Sequence, residues 1–157
     1  MKEKIRNYAV SIAIALAVGG LSALLTADNM DLYSEITKPP LAPPSILFPI
    51  VWTLLYILMG IGAAMVYGEK DIKPDEVRKA LTVYAVSLFL NFFWSIIFFN
   101  LRAFFFSFIW LIALWTAILI MIIKFYKIRP VAGILQIPYL IWVTFAGYLN
   151  LAIFLLN

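Results

Sequence analysis

Five stretches of this chain, Tyr8 to Thr26, Ile46 to Gly68, Ala80 to Leu101, Ala103 to Ile123 and Val131 to Leu156, contain no Asp, Glu, Lys or Arg. Each is near the roughly 20 residues that a helix needs to cross a hydrocarbon layer about 30 Å thick. The runs are apolar on all sides, so periodicity does not separate helix from strand. Their length is twice that of a barrel strand and they lack its alternation, which leaves helix. Composition closes the alternative of a water-soluble fold. With 65% hydrophobic and 13% charged residues over 157 positions, and a mean hydropathy of +1.01, the chain is too short to hide its apolar surface in an aqueous core. The expected fold is an all-α integral membrane protein, a five-transmembrane-helix bundle forming a single domain over residues 1–157. The first run follows Lys2, Lys4 and Arg6 as a signal peptide would, but it is longer than a signal core and carries Gly19 and Gly20 inside it, so it is read as a retained span.

The chain has no cysteine and no histidine. That excludes disulfides, thiolate or imidazole metal sites and Ser-His or Cys-His catalysis. No ionised group lies within a span, so acid–base catalysis, a proton relay and an ion path have no side chains to use. The net charge of +4 does not point to nucleic acid, because the basic residues fall in short clusters between apolar runs. Ten of the twelve cations lie at the N-terminus, between spans two and three, and between spans four and five; Lys38 and Arg102 alone lie on the other side. The positive-inside rule then puts the N-terminus in the cytoplasm and the C-terminus outside, in a membrane read as bacterial and cytoplasmic.

The longest connector, Ala27 to Ser45, contains Lys38-Pro-Pro-Leu-Ala-Pro-Pro44. Proline fixes φ and removes donors, so this piece is expected to be a stiff polyproline-like strap, a lid over the bundle in preference to a plain spacer. Below it, helix rise converts position into depth. Trp52 falls about 9 Å below the outer boundary, Asn91 about 16 Å and Trp94 about 21 Å up from the inner one, and Trp142 about 16 Å up, near the midplane. Trp52 and Trp110 fit an interfacial belt or a packing role; Trp94 and Trp142 are too deep for a belt and need a partner or a cavity. An amide at the depth of Asn91 serves equally as glue between helices or as a ligand contact. Trp52 and Tyr56, then Asn91, Trp94 and Ser95, then Tyr139, Trp142, Ala146 and Leu149 each share one helix face. Pro138 is expected to free a backbone carbonyl a turn below Trp142.

Three motifs in order, Lys38-Pro-Pro-Leu-Ala-Pro-Pro with Phe48-Pro-Ile-Val-Trp-Thr-Leu-Leu-Tyr56, Asn91-Phe-Phe-Trp-Ser-Ile-Ile-Phe-Phe99, and Pro138-Tyr-Leu-Ile-Trp-Val-Thr-Phe-Ala146-Gly-Tyr-Leu-Asn150, resemble the translocator protein family, also called the tryptophan-rich sensory protein, TspO/MBR or peripheral-type benzodiazepine receptor family. The resemblance covers the chain from about Leu32 onward. It implies a five-helix bundle, usually a homodimer, with a pocket under the first loop for porphyrins and for synthetic isoquinoline-carboxamide or benzodiazepine-type ligands. Carried across residue by residue, that pocket is lined by Tyr33 and Pro44, Trp52 and Tyr56, Asn91 and Trp94, and Trp142, Ala146 and Leu149. Some bacterial members are reported to degrade protoporphyrin IX in light and oxygen, and the residues that match the implicated pair are Trp52 and Trp142.

Departures from the family pattern are also visible. Trp110 stands where many members carry an acidic residue in span four, and is expected to remodel that wall of the pocket. No Lys or Arg follows Tyr148, so the mammalian sterol motif is incomplete. With no His or Cys for axial ligation, metal-free tetrapyrroles such as protoporphyrin IX are the expected ligands, and no cofactor is required. The functional expectation is a ligand-binding protein of the lipid bilayer with a regulatory or stress-sensing role. The alternatives are a light- and oxygen-dependent porphyrin-degrading enzyme, in which the ligand supplies the excited state, and a tetrapyrrole or sterol-like transporter, against which five spans lack two equal inverted halves. Lys38 and Arg102 could pair with porphyrin propionates at the pocket mouth, or simply face solvent or lipid phosphate. Gly19, Gly20 and Ala23 offer a small-residue surface for dimerisation.

Overall fold

A computed structural model describes residues 1–157. It is all helical, and five of its helices are long and apolar enough to cross a membrane. They are α1 (Lys2–Thr26), α3 (Leu47–Tyr67), α4 (Pro74–Ser95, continued by a π-helical turn over Ile96–Asn100), α5 (Phe104–Ile128) and α7 (Ile137–Leu156); the short helices α2 (Leu32–Glu35) and α6 (Pro130–Ile134) lie between them. The chain is an integral membrane protein by these spans. The helices overrun the apolar runs at the cation-rich end, where α1 starts at Lys2, α4 at Pro74 and α5 stops at Ile128. Helical hydrogen bonding continues past the point where hydrophobicity stops. Pro74 at the first helical position and Asp75 and Glu76 in the first turn give α4 a favourable start in water.

Span five is not one continuous helix. The chain turns at Leu135 and Gln136, and Pro138 sits in the first turn of α7, where its missing N–H costs nothing. Pro138 therefore begins a helix; it does not free a carbonyl inside one. The turn instead points the Gln136 amide across the bundle, where its Nε2 donates to the Leu58 carbonyl at 3.1 Å.

The helices form a ring in which α1 packs on α3 and α4, α4 on α5, and α5 on α6 and α7. α1 and α3 approach backbone to backbone. A Cβ on Gly60 would lie 2.5 Å from the Ile12 Cα, and the Ser11 hydroxyl donates to the Gly60 carbonyl at 2.7 Å. Gly19 makes room for the Tyr56 ring in the same interface, whereas Gly20 faces open space. Between α3 and α7 backbone packing is sparse, and large aromatic side chains bridge the separation.

Gly60→Val is expected to force α1 off α3 and to lower the thermal unfolding midpoint in detergent, by overpacking of about 1–3 kcal/mol or more. Gly20→Val is expected to leave that midpoint in place. Equal midpoints for the two variants would contradict the close α1–α3 contact.

Candidate functional site

The site is built where the loop after α1 folds over the α3–α7 seam. Within the loop, residues 36–46 are non-helical, as the prolines require. The strap is bent, however. Ala42 N–H closes a turn on the Pro39 carbonyl at 3.3 Å, with Leu41 left-handed at φ 70°. Proline followed by a positive φ is the pattern of a type II turn, which favours glycine at the second place. Leucine there is strained.

Side chains fasten the loop from both sides. The Tyr33 hydroxyl donates to the Pro43 carbonyl at 2.6 Å, and Lys38 Nζ donates to the Tyr33 carbonyl at 2.9 Å while lying 4.9 Å from its ring centre. From α7, the Tyr148 hydroxyl donates to the Pro40 carbonyl at 2.7 Å. The Asn157 amide pairs with both backbone groups of Thr37, accepting at 3.0 Å and donating at 2.9 Å. Arg102 meets Glu35 at 3.5 Å. Asn29 donates to Asn100 at 2.7 Å, and Asn100 to the Leu25 carbonyl at 3.0 Å. Leu32 of α2 is buried against Phe98 and Ile153. Both outer cations, Lys38 and Arg102, are thus engaged within the loop region. Partial burial raises the Tyr33 phenol above its ordinary value of 10.0.

Beneath the loop runs a chain of rings. Tyr33 meets Phe48 edge-on at 5.2 Å, and Phe48 meets Trp142 at 5.8 Å. Trp52 lies 5.8 Å from Tyr56 and, edge-on, 6.3 Å from Tyr139. The Tyr139 hydroxyl accepts from Asn91 Nδ2 at 3.1 Å, with Asn91 only 2% and Tyr139 only 1% exposed. Asn91 is therefore tied to α7 and does not line the groove between α3 and α7.

The other residues singled out in the sequence are distributed around this line. Ala146 and Leu149 are buried on the inner face of α7. Trp94 stacks on Phe98 at 5.3 Å and donates its indole N–H to Asn150 Oδ1 at 3.0 Å. Pro44 is exposed, and its carbonyl accepts the Leu47 N–H at 3.0 Å, so Pro43 makes the contact with Tyr33. Trp110 does not form a wall beside Asn91. It donates to the Leu90 carbonyl at 2.6 Å and lies among Phe89 and Phe106 on the outward flank of α4 and α5.

Trp142 differs from the other indoles. Its N–H is buried without a hydrogen-bond partner, and its ring borders a groove of about 370 Å³ between α3 and α7, walled by Val51, Leu54, Leu58, Ile141 and Phe145. The groove presents only apolar surface, and the indole N–H lies buried behind it. Sequence reasoning passed over Gln136 and the hub role of Asn150, which accepts from Trp94 and from Ser107 at 3.0 Å and donates to the Phe104 carbonyl at 2.8 Å. The signal was present in each case, since an amide inside a span must find partners.

The geometry defines a five-helix membrane bundle with an aromatic seam closed by a fastened proline loop. The sequence profile of the TspO/MBR family matches residues 11–156, and the chain belongs to that family. It is 36% identical to the tryptophan-rich protein TspO of Chlorobaculum tepidum, over 100% of this chain and 99% of the relative. It is 38% identical to the protein of the same name from Archaeoglobus fulgidus, over 98% of both. It is also 31% identical to the translocator protein of Bos taurus, over 90% of this chain and 85% of the relative.

Tyr33 is expected to keep its proton, and its bond to Pro43, above the pH at which free tyrosine ionises. A raised pKa means that the closed loop is pH-independent below 10.0 and loosens as pH climbs through the higher value. Difference ultraviolet titration against Tyr33→Phe reads this directly; a phenol titrating at the free value would contradict it. Asn157→Ala combined with Tyr148→Phe is expected to speed amide exchange at residues 36–42 by several-fold, since each exposed hydrogen bond is worth about 0.5–1.5 kcal/mol.

Proposed function

We propose that this chain is a membrane ligand-binding protein for metal-free tetrapyrroles such as protoporphyrin IX, and for similar flat apolar molecules of the isoquinoline-carboxamide type, with a sensing or regulatory role. The observation that carries the reading is the line of rings from Tyr33 through Phe48 to Trp142, beside Trp52, Tyr139 and Asn91. A planar guest replaces ring-to-ring contacts with ring-to-guest contacts of the same kind, so little attraction is lost when it slides in. The Asn91 amide and the Trp142 N–H are the polar groups available to orient it. Because Asn91 and Tyr139 close on one another, admission requires the loop to lift and the Phe48–Trp142 contact to part.

The names of relatives fit this reading: one is a tryptophan-rich sensory protein from Cereibacter sphaeroides, others are translocator proteins. In the same proposal the cation-rich end faces the cytoplasm and the C-terminus lies outside a bacterial cytoplasmic membrane. The protein works as a homodimer, with the outward face of α1 around Gly20 available for contact.

Titration of intrinsic tryptophan fluorescence with protoporphyrin IX is expected to saturate in the wild type. Asn91→Ala should weaken the apparent affinity by roughly tenfold, the size of one buried hydrogen bond, and Trp142→Phe should weaken it too. Curves that superimpose on wild type would remove this reading.

A second reading is favoured by one contact, the Trp52 ring against Tyr56 and Tyr139. A porphyrin held beside an oxidisable indole under light and oxygen has a reaction partner at hand, with the ligand supplying the excited state. On this reading Trp52→Phe with Trp142→Phe slows bleaching of bound porphyrin under illumination, measured at equal occupancy. Bleaching at the wild-type rate would leave binding as the only role.

A further inference from the structure

At the cation-rich end, a helix length of roughly 30 Å from the loop, the first turns of α1, the end of α3 with its following loop and the α5–α6 junction enclose a cleft of about 420 Å³. Ala64 and Met65 of α3 supply apolar wall, and Tyr8 of α1 stands beside them. Lys4 and Arg129 bring positive charge; Glu69 and Asp71, with Glu3 next to Lys4, bring negative charge.

These opposite charges do not satisfy one another. The ion pairs of this chain are Arg78–Asp75 and Arg102–Glu35, and neither lines the cleft. Lys70, also at the rim, is drawn aside over the Tyr67 ring at 3.9 Å. Lys4 and Arg129 on one hand, Glu69 and Asp71 on the other, form no ion pair with one another around a shared space, with Asp71 and Glu3 near the Lys70 ammonium at the rim.

We propose that this cleft seats the headgroup of a phospholipid that carries both a phosphate and a primary ammonium, as phosphatidylethanolamine does. The phosphate faces Arg129, whose planar guanidinium matches two phosphate oxygens, with Lys4 as a second charge. The ammonium, with three N–H donors, faces the Glu69 and Asp71 carboxylates. The acyl chains leave past Met65 into the hydrocarbon. A choline headgroup carries the same charge but has no N–H to donate. A purely anionic headgroup leaves the carboxylates opposite a phosphate. The chemistry thus selects among lipids by donor count as well as by charge. The proposal does not involve the aromatic seam and stands apart from the tetrapyrrole reading.

The test reconstitutes the full chain in nanodiscs of equal phosphatidylethanolamine, phosphatidylcholine and phosphatidylglycerol and identifies retained lipid by native mass spectrometry after release into mild detergent. Wild type is expected to retain phosphatidylethanolamine preferentially. Glu69→Gln with Asp71→Asn should retain phospholipid but lose the preference over phosphatidylcholine, by roughly threefold for each rim charge removed. Lys4→Gln with Arg129→Gln should lose retention, and Arg129→Lys should weaken it less than that pair, by losing the two-oxygen grip while keeping the charge; circular dichroism and the thermal unfolding midpoint, unchanged in all variants, report that the fold is intact. Retention indifferent to headgroup in the wild type, or a preference that survives loss of both carboxylates, overturns the proposal. Displacement of the lipid by excess glycerophosphoethanolamine also overturns it, by making a soluble headgroup compound the occupant.

Discussion

Helices immersed in hydrocarbon gain nothing from hiding apolar faces against one another, because lipid tails are as apolar as leucine. What holds this bundle in one arrangement is a small set of amide contacts between helices. Gln136 reaches the Leu58 carbonyl of α3, Tyr139 accepts from Asn91 of α4, and Asn150 joins Trp94 of α4 with Ser107 and Phe104 of α5. Each such bond is worth only about 0.6 kcal/mol on average in a membrane. Breaking one by removing a single partner costs more, since the group left behind has no water to turn to. All three contacts involve α7 or the turn that leads into it, at three heights. They pin that helix along its length, whereas apolar packing alone tolerates sliding.

The pinning reaches outward to the loop. Once Gln136, Tyr139 and Asn150 are placed, so are Trp142 between them and Tyr148 and Asn157 beyond, and these last two hold the proline loop by its Pro40 and Thr37 backbone groups. A proline-rich segment has few N–H donors of its own, so it cannot be held by a backbone ladder. Its carbonyls remain free to accept, and Tyr33 and Tyr148 donate to Pro43 and Pro40. These latches are few and mostly exposed, while the amides beneath are buried. Loop and bundle therefore differ in stability.

The membrane fold was legible because it is written in long uncharged runs, and no tertiary contact can override the cost of placing a soluble loop in lipid. The aromatic and amide residues of the seam were legible by depth, which follows from rise per residue alone. Partner choice was not. Asn91 was equally compatible with glue and with ligand contact, and in the structure its amide is bonded to Tyr139 across α4 and α7. Depth read Trp110 as a belt or packing residue while the family resemblance set it at a pocket wall; helix rotation, which an all-round hydrophobic run does not encode, carries it to the outward flank. Pro138 was legible as a disturbance and misread in kind, since a proline can begin a helix as readily as interrupt one. The bend at Leu41 was hidden because leucine is a poor residue for a positive φ, and nothing local announces it.

The seam between α3 and α7 follows from the same physics. Where α1 meets α3, glycine at 60 allows the backbones to touch, and the contact is rigid. Where α3 faces α7, no glycine pair brings the backbones together, and the separation is spanned by Trp52 and Phe48 from one side and Tyr139 and Trp142 from the other. Side chains of this size fill a gap by rotation about two torsions, so the same gap can be filled in more than one way without moving a helix. Under the proposed function a flat aromatic molecule enters this gap by trading like for like with the rings that it displaces. At its inner end this interface is pinned by the Gln136 amide on the Leu58 carbonyl, and only its outer part is spanned by rings alone. That division places the candidate site at the α3–α7 seam and not at the tighter crossings around it.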